Sequence, residues 1–132
     1  MVVADQIDLA PVRAEIEALF EAYERAFMNN DVEVLTRFFW ADERHTRYGV
    51  ADRQLGFAEQ AAYRAATAAP TFTRRLENLR ITCFGSDMAV ALVEFVRSDT
   101  PLRGFQSQTW VRLPEGWRIV NAHVSMIDLL TT

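Results

Sequence analysis

Cysteine is almost absent from this chain, Cys83 being the only one in 132 residues. No disulfide can form within the chain, and no cysteine cluster is available to hold zinc. Histidine is scarce too, limited to His45 and His123. The His-Glu-x-x-His spacing of zinc hydrolases is missing, as are a Gly-rich phosphate loop and the Gly-x-Ser-x-Gly elbow. From these absences no metal and no nucleotide cofactor are expected. No apolar run approaches ~18 residues and no signal peptide opens the chain, so the expected location is the cytoplasm, with no membrane partner. Positive charge is not in excess: 14 basic against 18 acidic residues give a net charge of −4, which argues against a nucleic-acid partner. A small anionic substrate is still allowed, because a few arginines in a cleft set the local field whatever the net charge.

What is present is the balance of a globular protein, half hydrophobic and about a quarter charged, in a length that suits one domain over residues 1–132. From Pro11 the apolar residues Val12, Ile16, Leu19, Phe20, Tyr23 and Phe27 recur at helical spacing, which predicts an amphipathic helix ending near Asn29-Asn30. Tyr23 sits inside its buried stripe, so something polar is expected where this helix meets the rest of the fold. Asp31 suits the cap of a second, short helix. Residues 45–50 look extended, with His45 and Arg47 on one face and Thr46, Tyr48 and Val50 on the other. A turn near Asp52-Arg53 leads to an alanine-rich third helix over residues 57–68, followed by Pro70. Arg74-Arg75 reads as a solvated pair at the start of a long strand to Phe84. The alternating run 88–97 is a further strand, apolar on both faces for much of its length, which suits a homodimer formed through the outer face of the sheet.

The last third reads as a long hairpin around Pro114-Glu115-Gly116. Its first strand sets Gln106 and Gln108 on one face. Strict alternation on the second places Trp117, Ile119, Asn121, His123 and Ser125 together. A strand buried only for stability has little use for two amides, since each costs about 1–3 kcal/mol if left unpaired. The hairpin is therefore expected to wall a pocket. The fold class that follows is α+β, a cone-shaped, strongly curved mixed or antiparallel sheet wrapped around the N-terminal helix, with two further short helices.

The order of elements, and the ending Gly116-Trp117-Arg118-Ile119-Val120 through His123-Val124-Ser125, resemble the ketosteroid-isomerase-like superfamily, also called nuclear transport factor 2-like or SnoaL-like. Tyr23-Glu24, Asn30-Asp31, Phe39-Trp40, Arg47-Tyr48-Gly49-Val50 and Gln106-Ser107-Gln108-Thr109-Trp110 together resemble one branch, the AtzH-like family. The resemblance implies a small decarboxylating amidohydrolase acting on a carboxylated urea such as 1,3-dicarboxyurea, in the breakdown of cyanuric acid and related nitrogen compounds. Tyr23 and Arg47 match the family's active-site tyrosine and arginine. Trp40, Tyr48, Gln106, Gln108, His123 and Ser125 are the expected substrate-binding residues. The family's association with amidase-signature hydrolases leaves a second reading, a non-catalytic ligand-binding or accessory partner of such a hydrolase in oxalurate or purine breakdown. Two positions depart from the family pattern: Phe105 replaces an arginine, and Gln60 replaces an aliphatic residue.

Overall fold

The structure is a computed structural model that describes residues 1–129. Helix α1 (Ala10–Met28) turns Val12, Ile16, Phe20, Tyr23 and Ala26 inward, the stripe its three- and four-residue spacing dictates. Asp31 caps α2 (Val32–Phe38) by accepting the Val34 N–H at 3.3 Å. Helix α3 (Phe57–Ala66) begins from Gly56, whose φ of 91° and close approach to the Glu43 carbonyl suit glycine alone. It ends at Thr67, whose hydroxyl donates back to the Tyr63 carbonyl at 2.6 Å, three residues before Pro70.

Six strands form one open, mixed sheet in the order β2-β1-β6-β5-β4-β3. The strands β3 (Arg74–Phe84), β4 (Met88–Arg97), β5 (Arg103–Leu113) and β6 (Gly116–Ile127) run antiparallel in chain order. Strand β1 (Thr46–Tyr48) lies parallel to β6, and β2 (Arg53–Leu55) pairs back on β1. The α+β expectation is met, with the sheet left open. Arg53, expected in a turn, already belongs to β2; three residues with no apolar alternation carry no strand signal. The first ten residues are tied down as well, by a bridge from Ile7 to Phe84 and a hydrogen bond from Asp8 N–H to the Cys83 carbonyl at 2.9 Å.

The inner face of the sheet supplies Ile81, Cys83, Ala89, Ala91, Val93, Trp110, Trp117 and Ile119 to one buried cluster with the α1 stripe, Leu35 and Phe39. Each fully buried large side chain contributes about 1.5–3 kcal/mol. Near the other end of the sheet Gly104 pairs with Phe95. A Cβ at Gly104 would fall inside the Phe95 ring, so this ring can lie across β5 only because residue 104 has no side chain.

One irregularity decides which residues face the helices. Trp110 pairs with Ile119 and Thr109 with Asn121, so Val120 is an extra residue in β6. Before this bulge Trp117 and Ile119 are inside; beyond it Ala122, Val124 and Met126 pair with the inward Gln108, Gln106 and Gly104. The expectation that His123 and Ser125 share a face with Trp117 and Ile119 is therefore corrected, because the extra residue flips the pattern. Buried His45 supports the bulge: its Nδ1 bonds the Val120 carbonyl at 3.1 Å, giving that oxygen the partner it needs.

Candidate functional site

Two depressions flank the sheet. The larger, about 610 Å³, is a groove on the outer face lined by Leu79, Arg80, Leu92, Glu94, Phe105, Ser107, His123 and Ser125, among others. The smaller, about 350 Å³, lies on the helix side. Helix α1 brings Tyr23 and Phe27 to it, and β1 with the turn beyond brings Arg47, Val50 and Asp52. Helix α3 supplies Tyr63, Arg64 and Thr67, and residues 68–72 follow on. The sheet contributes Arg74, Phe95, Gln106, Val124 and Met126. The inner cavity is the candidate active site because it gathers the groups able to bind and protonate an anion.

Tyr23 is 5% exposed. Its ring stands edge-on to Phe38 and Phe39 at centroid distances of 5.7 and 6.1 Å, and its hydroxyl has no hydrogen-bond partner among the described residues. Arg47 points inward. Its Nη1 donates to Asp52 Oδ1 at 2.9 Å and to Gln54 Oε1 at 3.0 Å, and Gln54 Nε2 donates to the same Asp52 oxygen at 2.9 Å. Asp52 Oδ2 lies 3.5 Å from the Tyr63 hydroxyl, over whose ring the Arg47 guanidinium sits at 5.1 Å. This network holds the arginine by one nitrogen and leaves the rest of its planar fork without an acceptor among the described residues.

Of the remaining expected residues, only Gln106 joins Tyr23 and Arg47. It is 5% exposed, and its Nε2 has no partner among the described residues. Gln108 is fully buried beside the core, where its Oε1 accepts from Trp110 Nε1 at 3.1 Å; its role is internal. Trp40 lies outside the cavity under the Arg44 guanidinium, 4.8 Å away. Tyr48 is turned outward by the same alternation that turns Arg47 inward, and meets His123 edge-on at 5.9 Å on the outer face. Tyr48, His123 and Ser125 thus do not line the cavity that holds Tyr23.

A family model described as AtzH-like matches residues 5–129. The chain belongs to the AtzH-like family. Its sequence is similar to a solved protein of unknown function from the DUF3225 family of Pectobacterium atrosepticum SCRI1043, at 44% identity and a TM-score of 0.94, covering 97% of this chain and 100% of that one. A cystatin-like fold protein from Burkholderia xenovorans LB400 is 39% identical with a TM-score of 0.90, over 93% of this chain and 97% of that one. An NTF2-like protein of unknown function from Pseudomonas putida KT2440, at 18% identity and a TM-score of 0.74 over 93% and 92% of the two chains, shares the fold. No curated protein matches.

The AtzH-like cavity contains three arginines that the sequence did not assign to it, Arg64, Arg74 and Arg97, the last paired with Asp99 at 2.6 Å. Arg74 is no solvated residue: its side chain is 4% exposed and makes two bonds of 2.5 Å to the Glu24 carboxylate, between the Phe27 and Phe95 rings. Arg75, beside it, is the exposed member of the pair. Arg64 is also 4% exposed, with its guanidinium 5.6 Å from the Tyr63 centroid and 5.8 Å from that of Phe27. It has no carboxylate partner, and its Nε no acceptor, among the described residues. An uncompensated buried charge costs several kcal/mol. The signal was legible in α3 itself: past Phe57 the helix offers only alanines, Glu59, Gln60, Tyr63 and Arg64, so the stripe it buries has to be polar, and Gln60 and Arg64 are one turn apart. Among the described residues no three His, Cys, Asp or Glu side chains cluster so as to hold a metal ion.

Proposed function

We propose that this AtzH-like protein is a cofactor-independent decarboxylating amidohydrolase acting on a carboxylated urea such as 1,3-dicarboxyurea, in cyanuric acid and related nitrogen-compound catabolism. The observation that carries this reading is the joining of Tyr23, Arg47 and Gln106 in one small cavity where donors outnumber the acceptors available to them. Arg47 draws the substrate carboxylate in through charge-assisted hydrogen bonds, with Asp52 and Gln54 fixing its plane. The bond between nitrogen and the carboxylate carbon then breaks, its electron pair stays on nitrogen, and carbon dioxide leaves. Tyr23 gives its hydroxyl proton to that nitrogen, and water returns a proton to the phenolate. Gln106 donates to the urea oxygen and orients it.

The same reading includes a homodimer through the outer face, where Leu79 and Leu92 are 43% and 45% exposed. The test of function is a panel of N-carboxylated ureas and ureido-carboxylates scored for carbon dioxide and ammonia. Release of carbon dioxide from at least one carboxylated urea is expected. No release from any member, with the protein instead co-purifying with an amidase-signature hydrolase, would favour the accessory role.

A further inference from the structure

Arg64 has no part in the chemistry described above, yet it is the least satisfied cation of the cavity. Arg47 is held by Asp52 and Gln54, Arg74 is paired through two nitrogens with both oxygens of Glu24, and Arg97 is paired with Asp99. Arg64 is 4% exposed, lines the same cavity, and its Nε has no acceptor among the described residues. Two aromatic rings, Tyr63 and Phe27, flank its guanidinium; they soften the burial of a cation without offering an oxygen. A guanidinium does not escape by losing its proton. Gln106 adds a second unpartnered donor, Nε2, to the same cavity. Arg47 and Arg64 line the same cavity, and both sit by the Tyr63 ring, at 5.1 and 5.6 Å from its centroid.

We infer that Arg64 forms a second carboxylate subsite, which holds the carboxylate at the far end of the dianion: one carboxylate at Arg47 and the other at Arg64. This rests on the reading of the inner cavity as the active site for a dicarboxylated urea, and it gives the second carboxylate its binding residue. The carboxylate at Arg64 is the one that stays on the molecule, anchored while the bond at the other end breaks. Arg64 is thus a binding residue whose loss raises KM and leaves kcat little changed.

The test uses glutarate, a stable dianion with its two carboxylates separated by three atoms as in 1,3-dicarboxyurea, and glutaramate, the same chain with one carboxylate turned into an amide. Calorimetric titration of the wild-type protein is expected to show glutarate binding at least tenfold more tightly than glutaramate. Arg64→Met is expected to lose that preference, and Arg64→Lys, which keeps the charge without the fork, to retain part of it. Equal affinity of the wild type for the two probes, no glutarate binding, or an unchanged preference in a folded Arg64 variant would each overturn the subsite. The wild-type comparison stands even where Arg64→Met does not fold. A wild-type dianion preference without turnover of any carboxylated urea would sink the proposed reaction and leave the subsite; turnover without the preference would do the reverse.

Discussion

At the residue scale, His45 links a pH response to a single strand irregularity. Burial pushes its imidazole below the ordinary 6.5, the Arg47 charge acts in the same direction, and the hydrogen bond to Val120 opposes them. The carbonyl only accepts, so Nδ1 carries the proton of a neutral ring. Since the unfolded chain protonates more readily than the folded one, acid favours unfolding. The stability this group gives is complete above 6.5 and declines as the pH falls from there toward the lower folded value. The lowered carboxylates act in a separate, more acidic range: hydrogen bonds from Arg44 hold Asp42 at about 2, and hydrogen bonds from Arg103 lower Glu77 and Glu94. The urea midpoint is thus expected to drop between neutral pH and pH ~5 in the wild type, and His45→Gln to flatten that slope. An unaltered slope in the variant would contradict the assignment. Gln60 gives a second residue-level prediction. It is fully buried, and neither its Nε2 nor its Oε1 has a partner among the described residues. Gln60→Leu is expected to stabilise the fold by about 1–3 kcal/mol, read from urea midpoints at constant m-value; a lower midpoint would show that the amide is satisfied after all.

At the element scale, periodicity carried most of the fold. The stripe from Val12 to Phe27 located α1, Asp31 marked the start of α2, and the run Met88–Arg97 coincides with β4. One feature was not legible and another only in part, each for a physical reason. A bulge adds one residue without changing composition, so nothing in Val120-Asn121-Ala122 warns that His123 and Ser125 turn outward. Arg64 shows only in the polar stripe of α3, because an arginine is ordinarily exposed, although this chain has no lysine at all and its 14 cationic side chains are all arginines, the type suited to buried pairing. Tyr23 and Arg47 were paired through the family resemblance, since alternation alone leaves the direction of Arg47 open; the structure brings both to one cavity with Gln106. Gly104 carries the prediction at this scale. Gly104→Ala is expected to cost about 1–3 kcal/mol by displacing the Phe95 ring. Because Phe95 lines the cavity between Arg74 and the sheet, ligand affinity is expected to fall with stability; an unchanged thermal midpoint would show that the ring moves freely.

At the scale of the whole molecule, the sheet divides two roles. Its inner face, closed by α1 and α3, carries the proposed chemistry, and its outer face carries Leu79, Leu92, Phe105 and His123. Phe105 pairs with Glu94 and Ser125 on that outer side, so the departure from the family's arginine there alters the outer face and not the cavity wall. The proposed dimer covers Leu92, which is exposed on the outer face: Leu92→Glu is expected to shift the protein to a monomer in size exclusion with light scattering, and an unaltered mass would place any dimer contact elsewhere. The division between faces is tested most directly by carbon dioxide release from 1,3-dicarboxyurea by the wild type, Tyr23→Phe, Arg47→Ala and His123→Ala, each checked for an intact fold. The account predicts a loss of kcat/KM of about 100-fold or more for the two inner-face variants and near wild-type turnover for His123→Ala. Turnover that survives in the inner-face variants, or collapses with His123, would contradict it.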